Sequence, residues 1–505
     1  MYVGLGVWED GAGRAPNPRG RKREKVMRRL SPMDAVFLYM ETPRSYMHTL
    51  KIAILDPSAE AGGFSFDAYS RRVCERLHRA PPLRWKLAPT PLEVHHPIWI
   101  EDPDFNIDYH LRRVACPTPG DDRALCDLIS RVYAWPLDRN RPLWVGWIVE
   151  GLQGGRVAAV FLTHHAYFDG IGAAYLLRQI CNDEPGGDVP PPETPWVPEP
   201  WPSTRQRLWW ALRDLPETLG IVWPKAFLGV RKLKRLHETY LREGKPLPPR
   251  PEEAPETPLS QPLSPGRRYA CRSFALEDFK RIGAPFGFTV NDVFVACCAG
   301  AMRRFLADLS YDPDRGPLVA SIPLSRRGLE NMDGIGNFST AAYLWLRIDV
   351  ADPLERLRKS HEAANLMKEH FRASEGGDLA SVLGILPPAG TRLLNRLIRS
   401  KQGRTGLLGN VVLSNVPGPS EPLYFGSTRI ENWFSTGQIL DACTLNMTVW
   451  SYAGKMNLNV VADSKVVRDG WVLIDYFQEC LVELLDKIGH ETRPASAHQT
   501  HETAA

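Results

Sequence analysis

A chain of 505 residues and 56.8 kDa is too long for one small module and leaves room for two or three domains. Apolar residues make up 43% of it and charged residues 24%, proportions that sustain a buried core and exclude wholesale disorder. The formal net charge of +4 is too small for this length to argue for nucleic acid as a partner.

Residues 1–29 hold eight Lys/Arg against three acids and no hydrophobic period, which predicts a disordered basic arm. Met27 stands directly before RRLSPMDAVFLY and offers an alternative start. The N-terminus lacks the apolar run of a secretory signal and no stretch reaches the length of a membrane span, so the expected address is the cytoplasm. Nine scattered cysteines without C-x-x-C spacing point to buried thiols in a reducing compartment rather than a disulfide framework or zinc ribbon.

Over 30–184 strand-like and helix-like patterns alternate. Strands are predicted at 48–55, 143–152 and 156–163, and helices at 66–80, 123–135 and 170–181. The Gly154-Gly155 pair supplies the positive φ of a hairpin turn between the last two strands. Two proline clusters, 185–202 and 246–265, carry eight prolines each, so 185–265 is expected to be a linker. Between the clusters lies a basic insert, 203–245, with ten Lys/Arg against four acids. Over 266–490 the alternation resumes, with strands at 267–275, 317–324, 338–349, 409–416 and two around 443–462, and helices at 289–306, 353–371 and 468–487. Residues 491–505 are expected to form a disordered tail. The expected fold class is therefore α/β, in two mixed-sheet domains joined by a long crossover.

The most informative run is THHAYFDG, which sets His164, His165, Asp169 and Gly170 where an apolar strand gives way to a helix. A strand end fixes the backbone while the loop presents side chains. A histidine there can take a proton near neutral pH, with a carboxylate four residues on to orient the loop. Read alone, the same residues also suit a satisfied loop histidine and an aspartate N-cap. His95, His96 and His110 lack metal-ligand spacing, and Gly170 and Gly172 lack the third glycine of a dinucleotide turn, so neither a metal nor a nucleotide fold is expected.

The run resembles the HHxxxDG signature of the CoA-dependent acyltransferase superfamily. LSPMDAVFLYMETPRSYMHT (30–49), PLDRNRPLW (136–144), TVNDVFVA (289–296) and LSNVPGP (413–419) are similar, in the same order, to segments of one branch, the bacterial wax ester synthase/diacylglycerol acyltransferase family. The resemblance spans about residues 28–487. IPLSRR (322–327) is a looser version of a family segment, which leaves the role of Ser325 open, and the DFGWG-type loop of plant relatives is missing.

The resemblance implies two chloramphenicol-acetyltransferase-like sandwich domains facing each other across a channel. It also implies transfer of a long-chain acyl group from acyl-CoA to diacylglycerol or a fatty alcohol. His165 would be the general base, His164 less critical, and Asp169 a loop anchor paired with an arginine. Asn291 would be a donor to the oxyanion or an organiser of the site, unless it serves the helix beginning at Asp292. Substrate contacts are expected from Asp292, Ser414, Asn415 and the Pro142-Leu143-Trp144 run, the last of which suits packing equally. No cofactor is expected beyond acyl-CoA as co-substrate, and no acyl-enzyme intermediate, since the chain has no G-x-S-x-G elbow. The rival readings are a polyketide or peptidyl acceptor, or an idle lipid-binding protein.

Within 203–245, Trp209, Trp210, Trp223 and Phe227 lie among arginines and lysines. Such a segment suits the surface of a membrane or lipid droplet. It equally suits a connector packed on the two domains, and CoA phosphates are a third target for its charge.

Overall fold

The structure is a computed structural model describing residues 28–187, 189–193, 196–217, 220, 223–325, 336–374, 386–393 and 408–491. The expected arm through Met27 and the tail from 492 lie outside these residues. Arg28 and Arg29, placed in the arm by the sequence reading, form strand β1 (Arg28–Arg29). The first half continues with α1 (Pro32–Met40), β2 (His48–Asp56), α2 (Phe66–Arg76), β3 (Trp85–Ala88), β4 (Ile98–Glu101), the single turn α3 (Ile107–His110) and β5 (Leu111–Ala115). It ends with α4 (Asp122–Tyr133), β6 (Trp144–Glu150), β7 (Val157–His164) and α5 (Gly170–Ile180). The insert forms α6 (Thr204–Glu217) and α7 (Trp223–Arg242). The second half comprises β8 (Arg267–Ala275), α8 (Leu276–Gly283), α9 (Val290–Asp308), β9 (Leu318–Ser325), β10 (Ser339–Leu346) and α10 (Pro353–Ala373). After these come β11 (Val411–Val416), β12 (Tyr424–Phe425), β13 (Thr428–Thr436), β14 (Leu445–Tyr452), β15 (Lys455–Asp463) and α11 (Trp471–Glu491).

Local chemistry sets many of the helix starts. Asp121, Asp169 and Asp352 each accept a backbone N–H of the first turn of α4, α5 and α10, satisfying donors that have no partner inside the helix. Thr289 and Asp292 close a reciprocal capping box on α9.

Two six-stranded mixed sheets carry the fold, as the α/β expectation requires. The second sheet runs β10-β9-β11-β14-β15-β8 and is drawn wholly from the second half. The first runs β12-β13-β2-β7-β6-β5, so the first two strands in that order come from beyond residue 420. This departs from the division at 185–265, which assigned 266–490 to a separate domain. The β12–β13 hairpin turns at Gly426 (φ 66°), and β13 lies antiparallel on β2 from Arg429↔Asp56 to Thr436↔Leu50. Without it β2 would be an open edge whose backbone N–H and C=O groups lack partners. A third sheet, β1-β4-β3, is small.

Side chains also join the layers built on the two sheets. The Ser130 hydroxyl on α4 accepts the Tyr269 backbone N–H of β8 at 2.9 Å, and Trp433 of β13 lies edge-on to Trp450 of β14. All nine cysteines are free thiols, and all but Cys74 are buried.

The 185–265 segment is less of a free linker than its prolines suggest. Trp210 of α6 packs on Ala88, Ile98 and Ile100 of the small sheet, and Asp214 pairs with Arg29 at 2.9 Å. In the second proline cluster Leu259 and Leu263 are buried. On α6 and α7, by contrast, Trp209, Leu212, Trp223, Phe227 and Leu228 stay exposed. Among the described residues no single helix is long and apolar enough to cross a membrane.

Candidate active site

Strand β7 carries the chain to His164, and the HHAYFDG loop follows it into α5. His165 extends the ladder by one bond, donating its backbone N–H to the Met47 carbonyl at 2.9 Å. Met47 holds a left-handed φ of 49°, an uncommon conformation for a side-chain-bearing residue that here turns its carbonyl to the loop. The His165 imidazole stacks on Phe37 of α1, ring centroids 4.1 Å apart and planes 6° from parallel. Its Nδ1 lies 2.8 Å from Asn337 Oδ1.

The roles in that last bond follow from the rest of the network. Asn337 donates its amide nitrogen to Asp34 Oδ1 and to the His165 carbonyl, each at 2.8 Å, which leaves its Oδ1 as the acceptor. His165 Nδ1 therefore carries the proton and Nε2 keeps its lone pair. Asp34 is held by the Ser31 hydroxyl at 2.7 Å and by the Asn337 backbone N–H. Burial raises its pKa, opposed by these hydrogen bonds. Burial, followed by the charge of Lys51, drives the His165 pKa down to about 4, so the ring is neutral near pH 7. The residue nevertheless remains partly exposed.

Three consecutive residues of the second half clamp the loop. Gly336 donates its N–H to the Tyr167 carbonyl at 3.0 Å, Asn337 holds the imidazole, and Phe338 donates its N–H to Asp169 Oδ2 at 2.9 Å. Gly336 has φ +111°, and a Cβ there would stand 3.3 Å from Asp34 Oδ2, so glycine meets both the backbone and the space requirement. Asp169 also caps α5 through Gly172 at 2.9 Å. It is thus buried and occupied in holding the loop to the second half. Arg326 and Arg327 lie outside the described residues. Gly170 faces Val416 at the end of β11, where a Cβ would meet the valine at 3.2 Å.

His164 is placed differently. It is buried on the far face of β7, its Nδ1 accepts the Ala166 N–H at 3.0 Å, and Glu41 lies 3.9 Å from its Nε2. Burial holds its pKa well below the ordinary value. Leu143 and Trp144 are fully enclosed. The Leu143 N–H reaches the Tyr167 hydroxyl at 2.7 Å, and the Trp144 indole N–H reaches the Leu83 carbonyl at 2.7 Å. Pro142 is buried just before them. Asp292 is also fully buried, spent on the Thr289 cap and on His361 Nδ1 at 2.9 Å. Asn291 is partly exposed and accepts from Asn415 Nδ2 at 3.4 Å. Ser414 and Asn415, on β11, are partly exposed beside Val416.

His95, His96 and His110 bond to protein groups: His96 to the Tyr39 hydroxyl and His110 to the Trp144 carbonyl, while His95 accepts the His96 N–H. No group of three candidate ligands among the described residues is arranged to hold a metal. Asn337, Phe37, Asp34 and Lys51 were not singled out from the sequence. Asp34 and Phe37 sit inside the LSPMDAVF segment, but Asn337 lies in an irregular GIGNF stretch that carries no period.

Comparison with known proteins points to a family. Residues 30–294 match the profile of the wax ester synthase/diacylglycerol acyltransferase catalytic domain, and residues 335–485 that of the WS/DGAT C-terminal domain. A Mycobacterium tuberculosis (strain ATCC 25618 / H37Rv) protein provisionally named a diacylglycerol O-acyltransferase is 46% identical over 464 residues, covering 91% of this chain and 97% of its own. A second one from that strain is 35% identical over 444 residues, 88% of this chain and 92% of its own. Among solved structures, the wax ester synthase/diacylglycerol acyltransferase of Marinobacter aquaeolei VT8 superposes with a TM-score of 0.65 at 26% identity, covering 91% of this chain and 100% of that one. The first condensation domain of the CDA synthetase shares the chloramphenicol-acetyltransferase-like fold, with a TM-score of 0.56 at 16% identity over 91% of this chain and 97% of its own.

Proposed function

The chain belongs to the wax ester synthase/diacylglycerol acyltransferase family and is an acyl-CoA-dependent acyltransferase of that type; on that premise we propose that His165 is its general base and that the acyl group passes directly to a lipid hydroxyl. The observation that carries this reading is the tautomer of His165, with Nδ1–H spent on Asn337 and Nε2 left with its lone pair. A ring whose pKa lies near 4 is in its base form throughout the neutral range.

Nε2 takes the proton from the acceptor hydroxyl as its oxygen attacks the thioester carbon. The tetrahedral intermediate collapses, the carbon–sulfur bond breaks, and the departing thiolate receives the proton from the imidazolium, giving ester and free CoA. Such proton transfer is worth roughly 10²–10⁴-fold in rate. Asn337 Oδ1, itself tied to Asp34, stabilises the imidazolium while it exists. No hydroxyl or thiol among the described residues hydrogen-bonds the ring, which supports transfer without an acyl-enzyme intermediate. The partly exposed Asn291 is the candidate donor to the developing oxyanion. The co-substrate is acyl-CoA, no further cofactor takes part, and the acceptor is diacylglycerol, a long-chain alcohol or both.

The exposed tryptophan and phenylalanine side chains of α6 and α7, set among basic residues, fit a peripheral contact with an anionic lipid surface, where the water-insoluble acceptors reside. The defining experiment is CoA release from palmitoyl-CoA with hexadecanol and, separately, with dioleoylglycerol, the lipid products being identified by chromatography. Ester formation that His165→Ala abolishes supports the reading. Release that His165→Ala leaves intact, or no ester with either acceptor, overturns it.

A further inference from the structure

Beneath the site, a narrow cleft of about 80 Å³ runs between the first sheet and helices α2 and α5. Most of its walls are hydrocarbon or aromatic, with Leu55, Val73, Phe161, Leu177 and Trp433 prominent. Arg76 also lines it, but its guanidinium donates to the Arg72 and Gly187 carbonyls and to Asn182 Oδ1. Lys51 is the charged residue left with little to bond. It lies on β2 opposite Phe161, its side chain lines the cleft, and the residue is 8% exposed. The only hydrogen bond of its Nζ among the described residues is a long one, 3.5 Å to the Leu50 carbonyl, and no carboxylate there pairs with it. Thr163, another lining residue, shares its hydroxyl with Thr49 at 2.8 Å, so it is already satisfied.

A buried amine with three donor hydrogens and so little to give them to is costly in an apolar wall. Burial alone pulls its pKa down to about 7. An all-hydrocarbon occupant would leave Nζ without a partner. An occupant that places an oxygen acceptor there would complete it.

We propose that this cleft receives the acyl acceptor and that Lys51 selects acceptors bearing an ester carbonyl beside the reacting hydroxyl, favouring a diacylglycerol over a simple fatty alcohol. Thr163, near the end of β7, stands two positions before His165, so the lining of the cleft ends beside the catalytic histidine, and the charge of Lys51 reaches that ring. A diacylglycerol with its hydroxyl at His165 carries its nearest ester carbonyl on the next glycerol carbon. At the same depth a fatty alcohol offers only methylenes, which cannot accept a hydrogen bond. The inference rests on the acyl-transfer reading and adds the determinant of acceptor class.

The test is steady-state kinetics of the full chain with palmitoyl-CoA, comparing dioleoylglycerol and hexadecanol for wild type, Lys51→Met and Lys51→Gln. Methionine fills the same volume without charge, and thermal melts show whether each variant folds. The expected result for Lys51→Met is a fall of about tenfold or more in the ratio of kcat/KM for dioleoylglycerol to that for hexadecanol, chiefly through the KM for dioleoylglycerol. Lys51→Gln, which keeps a donor, recovers part of the ratio. An unchanged ratio in an active enzyme overturns the proposal alone. So does a change confined to the KM for palmitoyl-CoA, which would give the cleft to the donor chain. A wild-type enzyme that acylates neither acceptor overturns the acyl-transfer reading, and this inference with it.

Discussion

Asn337 and His165, 172 positions apart in the chain, are joined by a 2.8 Å hydrogen bond from imidazole Nδ1–H to amide Oδ1. The bond couples the halves at the proposed general base: one half supplies the imidazole and the other fixes its tautomer. Because Asn337 is also tied to Asp34, its amide cannot flip without breaking that contact.

Asn337 is a positioning residue, and its removal should act on turnover rather than affinity. Asn337→Ala is expected to lower kcat about 10–100-fold with KM for acyl-CoA nearly unchanged, because the ring loses its orientation but not its basic nitrogen. His165→Ala should abolish detectable turnover. His164→Ala should leave a measurable rate, with its main cost in thermal stability. The reverse pattern for the two histidines would show that the base had been assigned to the wrong ring.

The depressed pKa of His165 predicts an unusual pH profile. With the base titrating at about 4 rather than near 6.5, kcat/KM should stay flat from pH 8 down to about 5. An acidic limb centred near 6.5 would mean that the ring is solvated in the working enzyme. The profile of Asn337→Ala should differ in its acidic limb, since a partner that favours the charged ring has been removed.

Acid should also destabilise the fold well before carboxylates titrate. His48 is held at about 3 and His95 and His110 at about 4, chiefly by burial, and His164 is well below its ordinary value. Below pH 6.5 the unfolded chain takes up protons that the folded chain refuses, so stability falls as pH falls, by about 1.4 kcal/mol per pH unit for each such ring. His165 and His370 are lowered as well, whereas Asp34 and Glu41, raised by burial, act in the opposite sense just above the ordinary carboxylate range, two groups against six. Thermal melts between pH 8 and 4.5 should show Tm declining from about 6.5 downward, and His48→Leu should flatten the decline.

Lipid contact through α6 and α7 is best tested with point substitutions, because α6 is docked on the small sheet through Trp210 and Asp214 and its deletion would disturb the fold. Replacing Trp209, Trp223, Phe227 and Leu228 together with serine removes exposed apolar surface, at the cost of the contacts of Arg213 on Trp209 and Arg231 on Phe227. Flotation with anionic vesicles should fall several-fold while Tm changes little. Flotation equal to wild type would mean that these helices are a connector with a solvated face.

How much of this was legible in the sequence depended on whether the signal was local. The HHAYFDG loop announces itself because an apolar strand, a charged turn and a helix start follow one another within a few residues. The segment 428–436 escaped notice although it becomes a strand. A bulge between Ile430 and Asn432 breaks the alternation by which a strand is recognised. Even a recognised strand would have been assigned to the second sheet, since neighbours in sequence usually pair in space. Asn337 presented no pattern at all, for its role depends on a contact made across the molecule. The two proline clusters predicted extended chain, but Leu259 and Leu263 are buried in the second and first cores respectively, surfaces that only the folded chain provides.

The pairing of β13 with β2 also has a consequence for how the protein is made. During synthesis β2 and β7 leave the ribosome early, but the strand that covers the edge of β2 is encoded beyond residue 427. At roughly 5–20 residues per second the nascent sheet waits on the order of half a minute with that edge uncovered. Over that interval the unfinished sheet is open to pairing with another nascent chain, so yield in the cell should depend on chaperones that shield β2 more than on the stability of the finished fold.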